Sequence, residues 1–366
     1  MNEKTLLEIL SNLEDHRIER KKEHSLIDIV SITIAAVICG AENWNQIEMF
    51  GRSKQEWFKT FLKLPNGVPS HDTFNRFFSL LNPDKFELVF MEWVNSISER
   101  IKGEIINIDG KTIRGAKEYG KKSSIHMVSA WANTNNLVLG QLKVNEKSNE
   151  ITAIPNLLDV LFVENSIITI DAMGCQTEIA KKIIEQKADY ILAVKGNQKT
   201  LEQNIEDSFR FIKPEETSES VDAGHGRVET RKCMIIKNLE HIENPAKWIN
   251  LKTIIKVESE RYIKSTAKTE KSTRVYISSL NSTAENFQNY IRTHWSIENK
   301  LHWTLDVAFH EDDSRKRAGN SAQNFSVVNK IALNKLKNEK TLKASIMTKR
   351  LNAGWDEAYL KTIFEV

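Results

Sequence analysis

Two short apolar runs, each closing on an aspartate, restrict this chain more than any other feature. Ile105-Ile106-Asn107-Ile108 leads into Asp109 and Gly110. "SIITIDA", residues 166 to 172, leads into Asp171, with Gly174 close behind. Short β-branched runs of this kind read as buried strands. Between and after them lie "SIHMVSAWANTNNLVLGQLKV", two strands joined by a turn at Asn133 to Asn136, then the helix "EITAIPNLLDVL", the helix "TEIAKKIIEQKA" and the strand "DYILAVK". Three strands come first, and then strand and helix alternate. That order predicts an α/β fold, a mixed sheet core flanked by helices. A turn explains either Asp-Gly-type strand end alone, since Asp bonds its own backbone and Gly takes positive φ. Two strands of one sheet that both deliver a carboxylate at their C-terminal ends point instead to a site, because open α/β sheets place their sites there.

The flanks differ from this core. Residues 1–100 read as a helical domain. Its segments include the apolar run Leu26 to Cys39, closed by Gly40, and two helices opened by the N-caps Ser70 and Asn82, the second with Pro83 at its first position. Ser70, His71, Asn75 and Arg76, after the break "LPNGVPS", have the pattern of a helix-turn-helix reader. Residues of about 200–285 read as a β-rich insertion, with a polar stretch "KSTAKTEKS" between strands. From Ala284 the chain is helical again. This gives a helical N-terminal domain, an α/β domain over 101–325 interrupted by the insertion, and a basic helical segment over 326–366.

Composition limits the setting. At 366 residues, with 40% hydrophobic and 28% charged residues, the chain is of the globular class. Its net charge of +3 is too small to indicate nucleic acid without an uneven distribution. Three scattered cysteines, Cys39, Cys175 and Cys233, suggest neither a disulfide framework nor a zinc cluster, and fit a reducing cytoplasm. No signal peptide is read at the N-terminus. The Leu26–Cys39 run falls short of the ~20 residues a spanning helix needs.

A third acid lies in "YIRTHWSIENKLHWTLDVAFHEDD". On a helical wheel Glu298 falls between Ile291, Leu305 and Phe309, in the middle of an apolar stripe. A carboxylate placed there is either paired or bound to a metal. Three carboxylates with no Cys/His cluster favour a hard, oxygen-liganded cation, Mg²⁺ or Mn²⁺. Two such ions ~3.5–4 Å apart suit phosphodiester chemistry. His294, His302 and His310 read as polar contacts rather than ligands.

"IDGKTIRG", "ITIDAMGCQTEIA" and "HWSIENKLHWTLDVAFHEDDSRKRAGNSAQN", with "PSHDTFNRFF" upstream, resemble the bacterial insertion-sequence transposases that include the H-repeat-associated proteins. These belong to the wider Asp-Asp-Glu transposase group. The resemblance implies a ribonuclease-H-like catalytic core and assigns Asp109, Asp171 and Glu298 as catalytic residues and metal ligands. It also implies metal-dependent cleavage and strand transfer at the ends of the element. The partners would be double-stranded DNA, both element ends and target, bound by a homo-oligomer at the nucleoid. Two other classes compete: an inactive DNA-binding remnant, and a nuclease that hydrolyses without joining. The chain departs from many relatives around the Glu. Their Tyr, Arg and Lys are replaced by Ile291, His294 and Leu305. His294, Lys300 or Arg315 is then expected to take over the Arg role at the DNA end.

Lys111 and Arg114, just behind Asp109, are expected to contact phosphates. From Arg315 to Arg350 there are ten Lys or Arg, including Lys330 and Lys335, and one acid, Glu339. Such a basic helical tract next to an acidic site predicts phosphate-backbone binding.

Overall fold

The structure is a computed structural model that describes residues 5–15, 17–18, 22–99, 101–117, 124–144, 150–224 and 226–365. Its centre is one nine-stranded sheet. The strands are β1 (Ile105–Lys117), β2 (Ser124–Ala132), β3 (Leu137–Val144), β4 (Ile167–Ile170), β5 (Asp189–Val194), β6 (Glu216–Gly224), β7 (Arg227–Ile236), β8 (Thr253–Ile263) and β9 (Lys268–Ser278). They lie in the order β3-β2-β1-β4-β5-β9-β8-β7-β6. β1, β4 and β5 run parallel, and every other pairing is antiparallel. The mixed α/β expectation therefore holds.

The insertion continues the sheet instead of forming a separate unit: β9 pairs with β5 from Ile191↔Ser278 to Val194↔Val275. It also begins with a helix, Lys199–Phe211, which the strand-only reading missed. Leu201, Ile205 and Ser208 form its buried face. The polar "KSTAKTEKS" is mostly strand β9 and its approach. Residues Lys268 to Thr273 are exposed there, so the ribbon projects beyond the core and needs no apolar alternation.

Capping sets the helix starts: Ser70 and Asn82 accept from the backbone N–H of Thr73 and Lys85 as read, and Ser25 accepts from that of Asp28 in the same way. Helix Leu26–Ile38 is buried on nearly every side, which explains its all-round apolarity. Helix Ser321–Asn338 lies against it, against helix Pro83–Ile97 and against β3. One hydrophobic cluster consequently runs from Leu6 to Phe364. Among the described residues no helix is long and apolar enough to cross a membrane.

Candidate active site

Asp109 does not end its strand. β1 continues through Gly110 to Lys117 because its antiparallel partner β2 continues with it, pairing Asp109↔Ser129 and Gly110↔Val128. What stops beside Asp109 is the parallel pairing with β4, whose last pair is Ile108↔Ile170. Asp109 and Asp171 thus follow matched positions on adjacent parallel strands. Side chains alternate along β1. Asn107, Asp109 and Lys111 face the helical segments after Ala284, where they reach Thr293, His302 and Asp306. Gly110 and Thr112 face the other way, toward helix Glu150–Val160.

Asp171 caps a 3₁₀ turn, Ala172–Gly174, and its Oδ1 accepts from the Met173 N–H at 3.0 Å. Partial desolvation raises its carboxyl above the ordinary value, and the negative charges of Asp109 and then Glu150 push it the same way. Asp171 is itself exposed, while Asp109 is half-buried, and that partial burial favours the neutral form of Asp109. The hydrogen bond and charge of His302, Nε2 at 3.2 Å from Oδ2, outweigh that and hold its carboxyl below the ordinary value. His294 Nδ1 lies 2.9 Å from Thr169 Oγ1, and burial depresses its pKa. Asn197, in the turn after β5, donates to the Ala172 carbonyl at 2.6 Å, so this turn borders the same end of the sheet.

Glu298 corrects the helical-wheel reading. It is exposed, and the apolar stripe passes through Ile297, Leu301 and Leu305 instead. The wheel assumed a constant 100° step. Residues Glu298–His302 form a π-helical turn, which shifts the register of everything upstream of it. Glu298 opens that turn, and His302, at its close, touches Asp109. Glu298 has no ion pair or side-chain hydrogen bond among the described residues. Nor do any three His, Cys, Asp or Glu side chains there form a metal-holding group.

The expected phosphate contacts divide sharply. Lys111 is spent internally, on Asp306 and on Glu311 Oε2 at 3.2 Å. Lys330 and Lys335 are buried, at 2% and 1% exposure. Lys330 Nζ donates to Ser326 at 2.8 Å, and Lys335 Nζ donates to the Phe364 carbonyl at 2.8 Å. Lys316, Lys349 and Arg350 are buried as well, and Arg350 caps helix Leu26–Ile38 by donating to the Val37 carbonyl. Half of the basic tract therefore holds the C-terminal helices onto the core and is not presented to solvent. Lys300 is exposed and donates to Asn136 at 3.1 Å. Arg114, Arg315 and Arg317 are also exposed, and they gather where β1 meets the loop after Glu311. The Arg114 N–H donates to Asp312, and Arg317 Nε donates to the Gly115 carbonyl.

Sequence reasoning missed three groups near the site. His126 and Glu150 form a buried pair, Nε2···Oε1 2.6 Å, and His126 Nδ1 lies 2.8 Å from Thr112 Oγ1. Arg274, from β9, stacks on the ring of the exposed Trp295 at 4.3 Å. The residue types carried no signal; each contact joins elements far apart in sequence.

Known proteins bear on this arrangement. Residues 7–94 match the family described as DDE_Tnp_1-associated, and residues 101–335 match the one described as Transposase DDE domain. YncI of Escherichia coli O157:H7, named as a candidate transposase, is 44% identical over 99% of this chain and 95% of its own. YhhI of Escherichia coli (strain K12), named as an H repeat-associated candidate transposase, is 42% identical over 99% of this chain and 98% of its own.

Proposed function

This chain belongs to the DDE transposase family, and on that premise we propose that it cuts and joins DNA at the ends of its own element, with Asp109 and Asp171 as the metal-binding core of the site. The observation that carries the reading is the placement of these two carboxylates just beyond the last β1–β4 rung, where the charge of Asp109 raises the carboxyl of Asp171. The order β3-β2-β1-β4-β5, with β1, β4 and β5 parallel, supports a ribonuclease-H-like core.

The donor set suits Mg²⁺ or Mn²⁺. Two crowded carboxylates gain most from a hard cation. The thiols offer no softer alternative, since burial pushes Cys39, Cys175 and Cys233 up to about 12. When bound, such ions activate the attacking oxygen and stabilise the leaving one. The chain itself does the rest. The Met173 N–H fixes the Asp171 carboxylate, and His302 holds the Asp109 carboxylate ionised and oriented. Glu298, on the exposed turn that ends at His302, is proposed as the third carboxylate, supplied from the rim. Water attacks the phosphorus at the element end and frees a 3′-hydroxyl. That hydroxyl then attacks a target phosphodiester and displaces its 3′ oxygen.

The test is incubation of supercoiled plasmid carrying the element ends with the protein and Mg²⁺. Nicked and joined products are expected. Cut but unjoined ends would reduce the protein to a nuclease, and uncut plasmid would reduce it to a DNA-binding protein.

Double-stranded DNA is the proposed partner, bound by a homo-oligomer, with backbone contacts from Arg114, Arg315 and Arg317. Each phosphate contact adds about −0.9 to the slope of log K against log salt. Neutralising these three arginines is expected to flatten the slope by about 2.7 in a salt series on random duplex. An unchanged slope would return them to a solvated surface. Preference for element ends should persist, because phosphate contacts position without specifying.

A further inference from the structure

Gly110 follows Asp109 directly, and its missing side chain has a specific cause. A Cβ at Gly110 would stand 2.5 Å from Glu150 Oε1 and 2.6 Å from His126 Nε2. The Glu150 carboxylate therefore presses on the strand backbone one residue beyond Asp109, from the opposite face of the sheet. It is fixed there. His126, paired across β1–β2 with Thr112, holds it at 2.6 Å, and Thr112 holds the other ring nitrogen of His126 at 2.8 Å. Both side chains are about 5% exposed, at 4% for His126 and 6% for Glu150. A buried His–Glu pair is costly to desolvate and gains little stability over apolar packing. Its position suggests what it does instead: its carboxylate lies against Gly110, the residue that directly follows Asp109.

We propose that Glu150, anchored by His126, is a positioning residue of the metal site: through Gly110 it fixes the approach of β1 to Asp171, and it adds a further negative charge behind the aspartate pair. This rests on the aspartate pair being the cation site. Residues just outside a ligand set orient the ligands and strengthen capture of the ion without touching it. Glu150 and Asp109 reach the site from opposite faces of one strand, and glycine is the residue that allows both.

The experiment is calorimetric titration of the full-length protein with Mn²⁺, in the absence of DNA, accompanied by thermal melting. Glu150→Gln keeps the shape and removes the charge. Its Mn²⁺ affinity is expected to fall by about 10- to 100-fold, the usual effect of losing such a partner. His126→Asn keeps the charge and removes its anchor, and is expected to lose a smaller factor. A purely structural role would lower the melting temperature and leave the Mn²⁺ affinity of the folded protein unchanged. If the wild type binds Mn²⁺ and both variants, folded at the titration temperature, bind it equally well, this proposal falls and the aspartate reading stands. If the wild type binds none, the aspartate reading falls and takes this one with it.

Discussion

Replacing Asp171 by asparagine is expected to lower the rate of strand cleavage by about 10³-fold, the loss of roughly 4 kcal/mol of transition-state stabilisation at 1.36 kcal/mol per decade. The side chain keeps its shape, and its Oδ1 can still accept from the Met173 N–H. What goes is one of two crowded negative charges. Duplex affinity should remain within about threefold of wild type, because the proposed phosphate contacts lie on the arginines near the end of β1. Stability should hold or rise slightly, since relieving the repulsion from Asp109 and Glu150 favours the folded state. Single-turnover cleavage of a labelled element end measures the rate, and a thermal melt measures the rest. A variant that cut at wild-type rate would remove Asp171 from the site.

The second large effect is on folding. Lys330→Met should destabilise the protein by about 3–5 kcal/mol, as expected when one partner of a buried ion network is removed. Glu311 is 3% exposed and is shared by Lys330, Lys111 and Ser326. Burial favours its neutral form, but the charges of the two lysines hold its carboxyl below the ordinary value. Methionine fills the volume of Lys330 and leaves that carboxylate with one cation. Lys343→Ala, at an exposed position of the same tract, should stay within about 0.5 kcal/mol. Urea denaturation midpoints with a common slope separate the two. A loss below about 1 kcal/mol for Lys330→Met would mean that the network is dispensable.

The contrast between these two lysines shows where the sequence is readable. Local signals carry well. Ser70, Asn82 and Pro83 opened helices because capping is decided within four residues. The alternation after Ile105 indicated the mixed sheet because periodicity is local too. Asp109 and Asp171 are legible as a pair because each follows a short apolar run, and the two runs pair in parallel up to the residue before each aspartate. Failures begin where a residue's role depends on a distant partner. Ten cations within 36 residues look like a surface tract, but Lys330 answers Glu311 and Arg350 answers Val37, 313 residues away. Glu298 was misjudged for a different reason: one π-turn is enough to break a wheel built on constant rotation. Glu150 gave no signal at all, since the glycine that accommodates it lies on another element.

Helix Ser321–Asn338 covers helix Leu26–Ile38, and about 280 residues of chain separate them. On the ribosome that separation becomes time. At 5–20 residues per second, the first helix waits roughly 15 to 60 s for the partner that will bury it. Through that interval one of the most apolar segments of the chain lacks its native cover. Newly started copies are therefore expected to be aggregation-prone over this interval, and slow translation lengthens it. How much finished protein a cell accumulates is then set partly by how quickly the last third of each copy follows the first.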